Sequence, residues 1–355
     1  MMVSCKHCSK EKPNLAQALA FCSDCIRQGN QSVIDALQQV HSKIRTDSEL
    51  PPTTPSGQNE PACVICSRNC RPGPGEKGYC GLRENRDGKI LHHAGLPSRG
   101  IAEYYYDPLP TNCVSDWVCP AKKEPYTGKK NLAVFYGACV LNCLFCQNWY
   151  YRTLTKELSP ALSAGELADQ VDSRTACICF FGGDPAPQAP HALSAARKAL
   201  ANNPGLRICW ESSGAFSDLF FPRVMELSYR SGGTVKFDLK AYNKHLYFAL
   251  TGGDNSQMLK NFARCAEFSR RRNITLAVAS TLLVPGYIDA KEIFDLASFI
   301  AAHNSKTPYS LLAFHPQFEM IDLPITRRKE AEDCYNAARK AGLENVNLGN
   351  IHLLH

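Results

Sequence analysis

The run Cys139-Val140-Leu141-Asn142-Cys143-Leu144-Phe145-Cys146 sets three thiols in a C-x3-C-x2-C spacing. Thiolates this close together suit a soft metal centre. A structural zinc ion or an electron-transfer cluster usually takes four protein ligands. Three ligands leave one iron of a [4Fe–4S] cluster open to a substrate or cofactor. Phe145, just before the last cysteine, can lie against a flat ring. A strand-like stretch, residues 132–136, and a Gly137-Ala138 turn lead into the run.

Two other cysteine sets read as closed sites. Cys5-x2-Cys8 and Cys22-x2-Cys25 have the spacing of a zinc ribbon or a rubredoxin-like knuckle. So short a segment buries little core, and a metal would hold it together. A functional variant of this module would dock a protein partner. Cys63-x2-Cys66-x3-Cys70 is completed by Cys80, and the prolines and glycines between Cys70 and Cys80 let the chain wrap round an ion. Structural zinc and an auxiliary iron–sulfur cluster both suit that donor set. Cys113 and Cys119 are either a packed thiol pair or a site for an extra metal, redox or radical-relay role. Cys177 and Cys179 read as packing on a strand, and Cys209, Cys265 and Cys334 take no role. His92 and His93 read as surface or core residues, and Tyr104, Tyr105 and Tyr106 as packing.

The chain has 355 residues, enough for one large domain and one or two small ones. Eighteen cysteines behind a polar start with no secretory signal fit a cytoplasmic protein that uses them as metal ligands. The longest apolar stretch, around residues 274–284, is too short to span a bilayer. The formal charge of +7 raises a nucleic-acid partner. Metal-bound thiolates would cancel most of that excess, and Arg270-Arg271-Arg272 reads as the solvated end of a helix, so no such partner is expected.

The elements that must position these residues fall in order. Residues 1–45 are the knuckle with a short helix whose stripe is Val33, Leu37, Val40 and Ile44; residues 46–61 are a proline-rich linker. Residues 62–125 are the second cysteine-rich segment, and 126–355 alternate strands with helices. Strands are expected at 132–136, 178–182, 207–211, 235–239, 275–284 and 311–315. Helices are expected at 164–171, 190–200, 218–229, 258–271, 291–302 and 327–341. Six βα units imply a parallel sheet curved into a partial (β/α)6 TIM-like barrel, an α/β fold with N-terminal cysteine-rich modules. Such folds place chemistry at the C-terminal ends of strands, where the Cys139–Cys146 run falls. Lys236, Asp238 and Lys240 share one face of the fourth strand and need partners or a polar lumen. Gly182-Gly183-Asp184 ends the second strand, where glycines allow close approach and a carboxylate can accept from an ammonium or cap a helix.

The triad resembles the radical S-adenosylmethionine (SAM) signature, C-x3-C-x-aromatic-C. Residues 137–149 are similar to the branch that holds the pyruvate formate-lyase activating enzymes and the AmmeMemoRadiSam proteins. Residues 80–89, 281–286, 315–324 and 346–350 also resemble AmmeMemoRadiSam segments. The resemblance covers 62–355, and the stretch 112–124 is its main departure. It implies that Cys139, Cys143 and Cys146 hold a [4Fe–4S] cluster whose open iron chelates SAM, and that one electron yields methionine and a 5′-deoxyadenosyl radical. It implies that Gly182, Gly183 and Asp184 meet the methionyl amino group, with Asp in place of the family's Glu. Ser212 falls at the ribose position, Lys240 beside Asp238 at the SAM carboxylate, and His315 at the cofactor site. The implied partners are a glycyl-radical enzyme or another protein or peptide, with a flavodoxin- or ferredoxin-type electron donor; a small-molecule substrate stays open. A rival of another class is a multi-zinc module binding protein or nucleic acid, which requires zinc in every site and no affinity for SAM.

Overall fold

Parallel strands covered on both faces need nearly unbroken apolar runs. Lys130–Tyr136 is buried at every position after the first, and Ala277–Leu283 at all but one. The computed structural model describes residues 3–109, 113–119 and 128–354. Asn112 and residues 120–124 of the departing stretch lie outside them. Nine strands form one large, mostly parallel sheet. They are β1 (Gly100–Pro108), β2 (Lys130–Tyr136), β3 (Ala161–Leu162), β4 (Thr175–Gly182), β5 (Arg207–Ser212), β6 (Val235–Asp238), β7 (Ala277–Leu283), β8 (Tyr309–Ala313) and β9 (Val346–Gly349). Helices Ala189–Asn202, Phe221–Ser231, Ser256–Arg272 and Ala290–Asn304 fill crossovers, as the alternation predicts, and Arg328–Lys340 follows β8.

The chain divides into two compact units. One gathers Ile44–Val140 and Asn148–Phe237. In it β2, β4 and β5 run parallel side by side, and Val235 of β6 pairs with Trp210 of β5. β1 lies antiparallel to β2, with Ala102 opposite Tyr136, and β3 pairs with the start of β1. The rings of Phe180 and Trp210 stack 4.7 Å apart at the centre of this unit's core. The second cysteine-rich segment ends in a hairpin, Arg83–Arg86 against Lys89–His92. Its Asp87-Gly88 turn has positive φ at both residues, the geometry that suits the twist of paired strands. The stretch expected as a linker is anchored: the Arg71 N–H donates to Pro55 O and the Gly57 N–H to Arg71 O.

The other unit gathers Met1–Lys43, Leu141–Gln147 and Asp238–His355. Here β7, β8 and β9 are parallel, and Leu239 donates its N–H to Ser280 O on β7. The knuckle packs on the segments that follow β7 and β8. Ala16 N–H donates to the Tyr287 hydroxyl, Gln17 N–H to Asp322, and Arg27 pairs with Asp289 and Glu292. Among the described residues no helix is long and apolar enough to cross a membrane.

His191 gives a pH test of the first unit's packing. It is fully buried on helix Ala189–Asn202; Nε2–H donates to Leu162 O, which leaves Nδ1 to accept from the Tyr136 hydroxyl. Burial is the main cause that draws its pKa from 6.5 down to about 4. An unfolded chain therefore takes up this proton below 6.5, while the folded one resists until about 4. Stability should fall as pH drops through that window, by about 3 kcal/mol from this group. Denaturant titrations of wild type and His191→Gln should show the shallower pH slope in the variant.

Candidate active site

The triad is carried by the loop that follows β2, whose first residues belong to the unit of Ile44–Val140 and Asn148–Phe237. At its start, Gly137 N–H donates to Ile101 O, and the Gln188 amide donates to Ile101 O and Gly137 O. Ala138 has φ +77°, a left-handed conformation that costs a non-glycine residue energy and must be held from outside. Asp184 N–H holds it by donating to Ala138 O at 3.0 Å. Arg68, from the second cysteine-rich segment, donates to Val140 O at 2.7 Å. Cys139 sits in this unit and is buried.

The rest of the loop is anchored by helix Lys244–Thr251, which the sequence reading did not assign. Asn142 N–H donates to Thr251 O, and Leu144 N–H to Leu250 O. Cys143 is buried and Cys146 partly buried, and neither is in a disulfide. Lys240 is ion-paired with Asp238, and its ammonium lies 5.3 Å from the centre of the Phe145 ring. Burial disfavours the Lys240 charge, but Asp238, Cys143 and Cys146 outweigh it and hold the ammonium protonated. A donor set of three thiols beside a fixed cation suits an anionic cluster.

At the end of β4, the glycines are there for space. A Cβ on Gly182 would lie 2.3 Å from Tyr136 N, and one on Gly183 would lie 2.3 Å from Ala138 O. Asp184 is buried, and both its carboxylate oxygens are engaged. Oδ1 accepts from Ala186 N–H (2.8 Å) and the Ser212 hydroxyl (2.9 Å). Oδ2 accepts from Ser213 N–H (2.9 Å) and the Ser213 hydroxyl (2.5 Å). Burial raises the Asp184 pKa, and these donors oppose the rise. Asp184 and Ser212, expected to face a cofactor separately, are thus one network tying the ends of β4 and β5. His315 is exposed, with Nδ1 bonded to the adjacent Pro316 O at 3.0 Å.

Gly183→Ala should break the Asp184–Ala138 hydrogen bond, because the new methyl would meet the Ala138 carbonyl at 2.3 Å and the Tyr151 ring at 2.9 Å. We expect a loss of about 1–3 kcal/mol and a reduced iron content after anaerobic reconstitution. Chemical denaturation and iron analysis check both.

Lys236 answers the charge problem on β6. Its side chain is 1% exposed, and Nζ lies 3.1 Å from both Cys113 Sγ and Cys179 Sγ and 3.3 Å from Glu211 Oε2. Burial disfavours the charge here too, but Cys113, Cys179, Glu211 and Cys209 hold the lysine protonated. Glu211 lies in the 211–214 segment expected at the ribose; its pairing with Lys236 and this grouping of cysteines were not marked in the sequence.

The first quartet is gathered as its spacing predicts. Cys5 Sγ lies 3.8 Å from Cys25 Sγ, and Cys8 Sγ 4.0 Å from Cys22 Sγ. A tetrahedral ion with metal–sulfur bonds near 2.3 Å sets its sulfurs about 3.8 Å apart. Burial works against a Cys5 thiolate, yet bonds from the backbone of Cys8, Cys22 and His7 carry its pKa down to about 6. Cys63, Cys66, Cys70 and Cys80 are near enough to act on one another electrostatically but are not drawn within 4.8 Å.

Comparison with known proteins agrees with the geometry. Residues 133–300 match the model of the Radical SAM superfamily. An uncharacterized protein of Methanocaldococcus jannaschii, MJ0808, is 23% identical over 297 residues, 82% of each chain. A crystal structure of a domain of pyruvate-formate lyase-activating enzyme from Bacteroides vulgatus is similar with a TM-score of 0.40 and 18% identity, covering 48% of this chain and 98% of that one. The chain carries a radical SAM domain that begins inside β2 and takes in the C-x3-C-x2-C loop, the mark of a radical SAM enzyme.

Proposed function

We propose that Cys139, Cys143 and Cys146 hold a [4Fe–4S] cluster and that the chain uses it to make a radical on a protein or peptide substrate. The observation that carries this reading is the three-thiol loop at the end of β2, inside the matched domain, with Lys240 held against Phe145. When bound, the cluster supplies one electron to the SAM sulfonium, releasing methionine and a 5′-deoxyadenosyl radical. Lys240 meets the SAM carboxylate, and its pairing with Asp238 keeps it charged and oriented. The backbone at Gly182 and Gly183 receives the amino group. Asp184 acts behind that backbone, fixing it and Ser212 through its four hydrogen bonds. Phe145 packs against the adenine, and His315 closes the cofactor site. A reduced flavodoxin- or ferredoxin-type protein in the cytoplasm supplies the electron.

The knuckle, with a zinc ion on Cys5, Cys8, Cys22 and Cys25, offers a docking surface for the substrate protein, because it rests on segments that follow the C-terminal ends of β7 and β8. A glycyl-radical enzyme is the partner class that the resemblance to activating enzymes favours.

Anaerobic reconstitution followed by dithionite and SAM tests the reaction. Methionine and 5′-deoxyadenosine should appear in equal amounts. A colourless, zinc-only protein that forms no nucleoside defeats the reading. A glycine-centred EPR doublet on a co-purified partner would identify the substrate class, whereas the same nucleoside yield with a small metabolite consumed would move the proposal to small-molecule modification.

A further inference from the structure

The two four-cysteine sets differ in a way their sequence spacings conceal. The sulfurs of Cys5, Cys8, Cys22 and Cys25 all lie within 4.8 Å of one another, the compass of a single tetrahedral ion. Among the described residues no other set of three or more potential ligands is gathered so closely. Cys63, Cys66, Cys70 and Cys80 are nevertheless near enough to act on one another electrostatically. The first three are at most 9% exposed. Tyr79 N–H donates to Cys70 Sγ at 3.4 Å, the kind of amide bond that steadies a metal-bound thiolate. Cys66 is fixed from outside by a bridge to Phe216, flanked by the bond from Ser67 N–H to Ala215 O.

A second observation is the charge that faces this set. Arg83 is 1% exposed, and its Nη1 lies 3.8 Å from Cys80 Sγ. Its Nε and Nη2 are buried without a hydrogen-bond partner among the described residues. Opposite it in the hairpin, His92 Nδ1 is buried and unpartnered too. A guanidinium cannot shed its proton, so an unpartnered one in the interior requires an anion. Neutral thiols do not supply one; four thiolates on a metal centre do.

We propose that Cys63, Cys66, Cys70 and Cys80 hold a polynuclear iron–sulfur cluster, with Arg83 as its buried counter-cation, while the N-terminal quartet holds a single zinc ion. A cluster places its own iron and sulfide between the thiolates and so spreads them farther apart than one ion does. The wide second set and the tight first set follow from that difference. Inorganic sulfide carries part of the negative charge and gives the unused Arg83 donors acceptors.

The test uses the full chain with Cys139, Cys143 and Cys146 all changed to Ala, which removes the other candidate iron site. Grown with both metals and reconstituted anaerobically with ferrous iron and sulfide, it should retain about four iron and four sulfide per chain, absorb near 400 nm, and keep one zinc. Adding Cys66→Ser and Cys70→Ser should remove the iron and sulfide and spare the zinc, with unchanged far-UV circular dichroism and a cooperative unfolding transition reporting that the chain is folded. Two zinc ions and no iron in the triple variant overturns the proposal, as does iron that survives the two further substitutions. Arg83→Leu keeps every thiol; the reduction midpoint of the remaining cluster should move to lower potential, and an unmoved midpoint removes Arg83 from its role. A wild-type protein that makes no 5′-deoxyadenosine would count against the radical reading and leave this metal count untouched.

Discussion

Cys143→Ala will form no 5′-deoxyadenosine above background, a loss of at least about 1,000-fold. Cys143 is the middle ligand of the loop, and its neighbours are pinned from both sides: Asn142 and Leu144 give their N–H groups to Thr251 O and Leu250 O, and Leu144 O accepts from Glu319 N–H. A loop held this firmly cannot slide another thiol into the gap. Two remaining thiolates hold a cubane poorly, so the iron assigned to this site should be lost along with the chemistry. The fold should survive, because the side chain is small and the backbone bonds do not involve its sulfur. We therefore expect the same zinc content and far-UV circular dichroism as wild type, with the nucleoside missing. Nucleoside formation at wild-type rate would remove Cys143 from the site. Cys265→Ala is the control: that thiol is fully buried, in helix Ser256–Arg272, and its loss should cost stability without affecting the chemistry.

The parts legible in the sequence are those set by local pattern. Three thiols in one short run, paired knuckles, and apolar runs alternating with amphipathic helices each report a local constraint, and the structure places β2, β4, β5, β6, β7 and β8 where those runs fall. β1 was missed because it runs antiparallel and its second half is exposed on both faces, which leaves no apolar alternation; Tyr104, Tyr105 and Tyr106 all lie on it. β3 has two residues and β9 four half-buried ones, too few to show a period. Helix Lys244–Thr251 is short and starts at an Asn243 cap; that asparagine was the available signal.

What pattern could not give is pairing across the chain. Lys236 and Cys113 stand 123 positions apart, and nothing local in either says they meet. The charge on β6 did say that some partner was needed. The chemistry of the second quartet was hidden for a similar reason. Spacing names four ligands, but not that their sulfurs are less closely gathered than the first set's or that a buried Arg83 faces them.

Asp184→Ala should lower folding stability by about 3–5 kcal/mol. Four donors converge on this carboxylate, and two of them, Ala186 N–H and Ser213 N–H, are backbone groups that cannot turn away. Removing the acceptor strands them in a buried place, while the serine hydroxyls can rotate and recover part of the loss. The relief of a buried charge offsets some of the cost, since burial already raises the Asp184 pKa. Asp184→Asn should fall between wild type and Ala: its oxygen can serve Ala186 and Ser212, but its NH2 then faces the Ser213 N–H, donor against donor. Two measurements on the Asn variant separate a positioning role from direct contact with SAM. If Asp184 acts through the strand ends, denaturation shifts and SAM binding weakens together, because Gly183 and Ser212 move with the network. If its carboxylate instead meets the amino group of SAM, binding weakens while stability holds. The saturation of both oxygens by internal donors predicts the first outcome, and an unshifted denaturation midpoint with lost SAM affinity would refute it.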